Sequence, residues 1–275
     1  MTPPKPFSCG SFSVGEGALT LIAGPCLAES LDLCLQVAEE AQRVAAKFGF
    51  NYVFKASFDK ANRTSGNTAR GVGIDEGLKR LERVKFEFKV PVTTDIHLPE
   101  QAAVVAPIVD ILQIPAFLCR QTDLLAAAAE TKRPVNVKKG QFLAPWDTAN
   151  IVKKLELYDA RGIMLTERGT TFGYNTLIVD MPGLEIMRNQ GVPVCFDATH
   201  SAQRPGGAGT STGGARDTIP AMARAAVAVG IDALFAEIHP DPANAMSDSA
   251  TQWPLDQFES FMESVAKIHQ ARQAL

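Results

Sequence analysis

Six basic residues stand where a lysine or arginine needs a reason. Lys55, Lys60, Arg63, Arg120, Lys138 and Arg168 each end or closely follow a short apolar run. A cation buried at such a place is costly unless an anion meets it. Arginine offers phosphate a two-pronged fork and lysine a point charge, so the set can hold two phosphate groups and a carboxylate. Internal ion pairs with Asp95, Asp197 and Glu167 are the competing use for some of them.

A second set has different chemistry. Cys26, His200 and Glu237 also follow apolar runs, and a thiolate, an imidazole and a carboxylate together suit a divalent transition metal such as Zn²⁺ or Fe²⁺. Asp248, in AMSDSATQ, could supply a fourth ligand. Taken singly, such a cysteine is more often a small buried hydrophobe and such a histidine a hydrogen-bonded core residue. Ligands this far apart in sequence do not settle the matter by spacing. The stretch RPGGAGTSTGG, from Arg204, is too long and too rich in small residues for a bare connection. It reads as a mobile lid spanning Ser201 to Gly214. No GK[ST] follows it, so it is not a P-loop, and no GxGxxG fingerprint indicates a nicotinamide; no organic cofactor is expected.

These residues must be positioned by eight strand-like runs. They are LTLIA from Leu19, YVFKA from Tyr52, VPVTT from Val90, VDILQI from Val109, PVNVK from Pro134, GIMLTE from Gly162, PVCFDA from Pro193 and DALFAEI from Asp232. Each precedes a stretch of helical periodicity. The first shows Cys34, Val37, Ala38, Ala41, Val44, Ala45 and Phe48 on one face, with Ser30 as N-cap. Later helices are expected to open near Asp147, Asp217 and Pro254.

Eight alternations with near-continuous apolar strands predict a closed (β/α)8 barrel rather than a doubly wound open sheet. In a barrel the chemistry sits where strands end, and strands one, seven and eight, which carry Cys26, His200 and Glu237, become neighbours. Residues 1–18 read as a hairpin capping the bottom of a single domain spanning 1–275.

The chain has 275 residues, 46% of them hydrophobic, and a net charge of −3. That balance gives no global field for nucleic acid or an anionic membrane. No run reaches the roughly 18 apolar residues that cross a bilayer, and MTPPKPFSCG lacks the form of a signal peptide. Five irregularly spaced cysteines fit reduced thiols, so the expected location is the cytoplasm.

The motifs GPC–ES, KASFDKANR, TDIH, QIPAF, NVKKGQF, TERG–FGY, DATHS–Q–PGG and EIHPDP occur in this order from about Leu21 onward. Together they closely resemble the 3-deoxy-D-manno-octulosonate 8-phosphate synthase family. The resemblance implies a homotetramer of (β/α)8 barrels that joins phosphoenolpyruvate to arabinose 5-phosphate with water and releases phosphate, in lipopolysaccharide assembly. It places phosphoenolpyruvate on Lys60, Gln113, Lys138, Arg168 and the N–H of Ala116, with Lys55 and Arg120 among the surrounding cations. Asn62, Arg63 and Thr64 fall to the sugar phosphate. Asp95, His97, Lys60, Lys138, His200 and Glu237 are the candidates for the chemistry, with Asp95, His97 and Glu237 moving protons.

Metal-independent members of the family carry Asn where Cys26 stands. Cys26 with His200, Glu237 and Asp248 therefore implies the metal-dependent type, with one divalent ion per subunit (Zn, Fe, Mn or similar). Three rivals are weighed against this reading. A Schiff-base aldolase would use Lys138 or Lys55 as nucleophile. The sibling heptulosonate phosphate synthase acts on erythrose 4-phosphate, and its KPRT segment contrasts with KANRT here. A non-catalytic phosphosugar-binding barrel would need neither the metal ligands nor the lid.

Overall fold

The computed structural model describes residues 3–63, 66, 68–207 and 213–274. Eight parallel strands form its centre: β1 (Thr20–Gly24), β2 (Asn51–Lys55), β3 (Val92–Asp95), β4 (Ile111–Ile114), β5 (Val135–Lys138), β6 (Ile163–Glu167), β7 (Val194–Asp197) and β8 (Ala233–His239). Each pairs with the next in chain order, and β8 pairs with both β7 and β1. The sheet therefore closes on itself as a (β/α)8 barrel, and the open doubly wound alternative falls. The helices are α1 (Leu31–Phe48), α2 (Ile74–Phe88), α3 (Pro99–Val105), α4 (Thr122–Glu130), α5 (Ala149–Leu157), α6 (Met181–Arg188), α7 (Ile219–Val229) and α8 (Phe258–Gln273).

The strands are apolar almost throughout because both of their faces are covered. Alternate side chains then point to opposite sides. Outward residues such as Leu21, Phe54, Leu112, Val137, Leu165 and Phe196 pack with the helices in one large cluster. Inward residues Ile22, Val53, Ile111, Met164, Cys195 and Phe235 form a separate cluster inside the barrel. One step of two further along, the inward positions become Lys55, Asp95, Gln113, Lys138, Asp197 and Glu237, all buried. The barrel interior is thus oily at its lower end and ionic at its upper end.

Helix α1 follows its pattern. The Ser30 hydroxyl accepts from the N–H of Leu33 at 3.1 Å, and Gly49 ends the helix at φ +70°. The other expected openings are shifted. Short 3-10 turns occupy Pro145–Thr148, Arg216–Thr218 and Leu255–Gln257, and α5, α7 and α8 begin just after them. Such tight turns are common where a chain enters a helix.

The N-terminal hairpin is present: Phe7–Cys9 pairs antiparallel with Phe12–Val14. Phe7, Cys9 and Val14 join the inner cluster and close the lower end of the barrel. Phe7 lies so close to Gly162 that a Cβ there would sit 2.5 Å from the Phe7 Cβ. Trimming Phe7→Ala leaves a void at the barrel floor and should cost about 3 kcal/mol of stability. Urea unfolding should show this, while activity per folded molecule stays unchanged because the site is at the other end.

Candidate active site

The ionic layer at the upper end is one connected network. Lys55 ends β2, and its Nζ donates to Glu237 Oε1 at 2.6 Å and to the Cys26 carbonyl at 3.2 Å. β1 can come this close only because residue 24 is glycine: a Cβ there would lie 1.9 Å from the Lys55 carbonyl oxygen. Lys138 ends β5 and donates to Asp197 of β7, with its Nζ 3.6 Å from the centroid of the Phe235 ring. Both lysines are therefore matched by buried carboxylates, the internal use weighed above for Asp197. Lys139 next door is fully buried, 3.4 Å from Glu167 and bonded to the carbonyls of Gly140 and Leu143.

Lys60 and Arg168 are less fully neutralised. Lys60 Nζ donates to Ser57 Oγ at 3.1 Å and is 3.9 Å from Glu237 Oε1. Arg168 donates through Nη2 to Gln203 Oε1 at 2.7 Å, while its buried Nη1 has no hydrogen-bond partner among the described residues. Ser57 Oγ in turn donates to Asp95, whose Oδ2 lies 2.9 Å from His97 Nε2. The Nδ1 of His97 is buried without a hydrogen-bond partner among the described residues. A buried N–H or ring nitrogen left in this state is unusual in a finished core and points to a ligand.

The electrostatics follow from this packing. Burial would raise the Asp95 carboxyl, but the hydrogen bond and charge of His97, with Lys60 and Lys55, hold it well below the usual carboxylate range. Burial opposes ionisation of Asp197 as well, yet His200 and Lys138 hold it far down. Lys138 is lowered by burial in spite of Asp197. Burial also lowers the guanidinium of Arg168.

Beside these cations lies a group of metal-type donors. Cys26 Sγ, a Glu237 oxygen and an Asp248 oxygen all lie within 4.8 Å of one another. Cys26 Sγ is 3.1 Å from Asp248 Oδ2. His200 Nε2 is 3.7 Å from both Glu237 Oε2 and Asp248 Oδ2, and its Nδ1 is 2.7 Å from Asp197 Oδ2. The imidazole thus lies with a carboxylate close to one nitrogen and the donor group close to the other, a placement compatible with a ligating histidine. Burial first, then Asp248 and Glu237, push the Cys26 thiol well above its ordinary range. A divalent cation would reverse that, because it turns a coordinating thiol into a thiolate. The donor set fits such an ion. Asp248 reaches it from φ +48°, a left-handed conformation that aspartate tolerates better than most residues.

The remaining site residues lie outside the network. Asn62 is exposed on the loop after β2, and Thr64 lies outside the described residues. Arg63 is half-buried at the rim, donating to Ser247 Oγ at 3.0 Å and the Met246 carbonyl at 2.9 Å, and so ties its loop to the one bearing Asp248. Gln113 is buried beside Asn136 and is the register partner of Asp95. Ala116 opens a 3-10 turn after β4, and Arg120 beyond it is exposed. The glycine-rich stretch is anchored at its root, where Gln203–Arg204 pairs antiparallel with Gly213–Gly214; residues 208–212 lie outside the described set.

A match to the DAHP synthetase I family runs from residue 7 to residue 274. The chain belongs to that family. Within it, the chain is 56% identical over 260 residues to the 2-dehydro-3-deoxyphosphooctonate aldolase of Cyanothece sp., covering 94% of this chain and 95% of the relative. It is 53% identical over 261 residues to the protein of the same name from Stenotrophomonas maltophilia, with 94% of each chain covered.

Several polar residues of this family member escaped the sequence reading. Ser57 links Lys60 to Asp95. Gln252 accepts from the Cys26 N–H at 3.1 Å and donates to the Ser247 carbonyl at 2.8 Å, which holds Cys26 against the loop that carries Asp248. Asn136 accepts from Thr166 Oγ1 at 2.6 Å inside the barrel. Asn136 had a signal, being polar in the middle of an apolar strand. Ser57 and Gln252 are uncharged and lie beyond strand ends, where nothing in composition sets them apart.

Asp197 also caps the single helical turn Ala198–Ser201, accepting from the His200 N–H at 2.9 Å. Replacing it with Asn leaves Lys138 buried without its counter-charge and should cost about 3 kcal/mol at pH 7. The Asp197 carboxyl is held below its unfolded value of about 3.9, so its contribution is complete above that pH and fades as the pH falls further. The stability gap between the wild type and Asp197→Asn should therefore narrow below about pH 4, as urea midpoints measured from pH 7 down to pH 3 would report.

Proposed function

We propose that this chain condenses phosphoenolpyruvate with D-arabinose 5-phosphate and water, giving 3-deoxy-D-manno-octulosonate 8-phosphate and inorganic phosphate in lipopolysaccharide biosynthesis. The observation that carries this reading is the juxtaposition of under-neutralised cations, Lys60 and Arg168, with the Cys26–His200–Glu237–Asp248 donor group at one barrel mouth. The name shared by the relatives, and Asn62 where the erythrose 4-phosphate enzymes tend to have proline, favour the five-carbon sugar.

In this reading Lys60, Lys138 and Arg168, with Lys55, Gln113 and the Ala116 N–H, hold the carboxylate and phosphate of phosphoenolpyruvate. Arg63, Asn62 and Thr64, with Arg120 nearby, hold the sugar phosphate. Bringing together two anions that repel in water, with C3 of one facing the aldehyde of the other, supplies much of the rate. C3 bonds to the aldehyde carbon, whose oxygen takes up a proton. Water adds at C2 and gives up a proton; the resulting C2 hydroxyl then collapses to the ketone as the C2–O bond to phosphate breaks, its proton passing to the departing phosphate.

His97 and Asp95 form a buried pair with a free ring nitrogen, suited to passing one of those protons; His200 and Glu237 are placed for the other. Cys26, His200, Glu237 and Asp248 would hold one divalent ion per subunit, whose chemistry is to polarise an oxygen as a Lewis acid. Schiff-base chemistry is disfavoured because a lysine nucleophile would leave the Cys26–His200–Glu237–Asp248 donor group and the surplus of cations without a use.

The same reading makes the protein a cytoplasmic homotetramer of single-domain subunits. Among the described residues no helix is long and apolar enough to cross a membrane. Phe117, Phe142, Trp146, Phe172 and Tyr174 are all more than half exposed on the loops that follow β4, β5 and β6. Five aromatics on adjacent loops make a patch suited to a subunit contact. Light scattering should give the mass of four chains, and Phe142→Asp combined with Trp146→Asp should lower it.

Phosphate release from phosphoenolpyruvate should require arabinose 5-phosphate and fail with erythrose 4-phosphate. It should be lost on chelation and return with Mn²⁺ or Zn²⁺. Lys60→Ala should lose at least about a hundredfold in kcat/KM, and Cys26→Ala should lose both bound metal and turnover. Turnover that survives thorough chelation would remove the role given to Cys26, and preference for erythrose 4-phosphate would overturn the substrate assignment.

A further inference from the structure

Gln203 touches both halves of the site. Its side chain is 8% exposed, its Oε1 accepts from Arg168 Nη2 at 2.7 Å, and its Nε2 donates to Asp248 Oδ1 at 3.1 Å. Chemistry fixes that orientation. A guanidinium only donates and a carboxylate only accepts, so a flipped amide would oppose like to like at both ends. One side chain therefore bridges the loop after β6 and the loop after β8.

Each end of the bridge leads to an incomplete group. Beyond Arg168 lies its buried Nη1, which has no hydrogen-bond partner among the described residues. Beyond Asp248 lie Cys26 Sγ, 3.1 Å from Oδ2, and His200 Nε2, 3.7 Å from it. The Gln203 backbone is anchored too, as the register partner of Gly214. A Cβ at Gly214 would come within 2.3 Å of Thr251 Cγ2, so this strand pair packs directly against the segment that follows Asp248.

We infer that Gln203 is a positioning residue that couples anion binding at Arg168 to the placement of Asp248 as a metal ligand. The inference rests on the roles proposed above for Arg168 and Asp248. An anion on the free face of Arg168 fixes the guanidinium, and the guanidinium fixes the amide. The amide then holds Asp248 Oδ1, leaving Oδ2 turned toward Cys26 and His200. By linkage the effect runs equally in both directions: an ion held by Asp248 orders the seat for the anion. The relay differs from simple attraction between ion and anion, because an uncharged residue of the same length at position 203 keeps every charge and loses only the bridge.

The test is titration of the metal-stripped enzyme with Co²⁺, read by the cobalt–thiolate absorption band, with and without phosphoenolpyruvate. In the wild type, phosphoenolpyruvate should tighten Co²⁺ at least about fivefold, and Co²⁺ should tighten phosphoenolpyruvate by the same factor. In Gln203→Met the factor should fall below about twofold while Co²⁺ still binds. Gln203→Asn, a polar variant too short to span both partners, should behave alike and covers the case in which a buried methionine unfolds the site. Variants that keep the wild-type factor would overturn the inference, as would a wild-type factor of one, and either result leaves the metal site standing. Absence of the thiolate band in the wild type would overturn the inference and the metal reading together.

Discussion

Charge that has been removed from water must be answered from within, and the upper end of this barrel is built around that requirement. Lys55, Lys138, Asp197 and Glu237 are all inward-facing and almost fully buried. Their attraction survives desolvation only with close pairing and further contacts: Lys55 also donates to the Cys26 carbonyl, Asp197 also accepts from the His200 N–H, and Lys138 lies over the Phe235 ring. The hydrophobic floor below supplies the rigidity. Phe235 shows the join: it belongs to the inner apolar cluster and presents its ring face to the ammonium groups of Lys138 and Lys55. Change in the ionic layer is therefore felt as a loss of stability as well as a loss of chemistry.

The pairing is incomplete at the cations to which the proposed function assigns the substrate. Arg168 has an amide rather than a carboxylate beside it, and Lys60 has a hydroxyl, with its carboxylate only at a distance. A site whose cations were all matched would have nothing left for a phosphate, and one with none matched would not stay folded. A division of labour between paired lysines that shape the site and less-paired cations left for a ligand, as proposed, would reconcile these demands.

Much of this was legible in the sequence. Eight apolar runs with lysine, aspartate or glutamate near their ends were enough to place Lys55, Asp95, Lys138, Glu167, Asp197 and Glu237 on one barrel face, and all six lie there. Helix openings were less legible, because a 3-10 turn and the first turn of an α-helix share their capping residues. Arg120 follows a strand as Lys60 does, yet one side chain ends exposed and the other nearly buried, since the path of the loop decides. Gln203 stood within the DATHS–Q–PGG motif and Gln252 in none, yet the role of neither was legible, because an uncharged amide gains its meaning only from what stands on either side of it in space.

Cys26 and Asp248 are separated by 222 positions in the chain and by 3.1 Å in the fold. Glu237 joins them only when β8 docks against β1, the pairing that shuts the barrel. No shorter stretch of chain brings these three donors together. A nascent or truncated polypeptide thus carries the separate donors without the cage. An ion held as proposed would load only onto chains whose first and final strands have met, and so would certify a completed barrel.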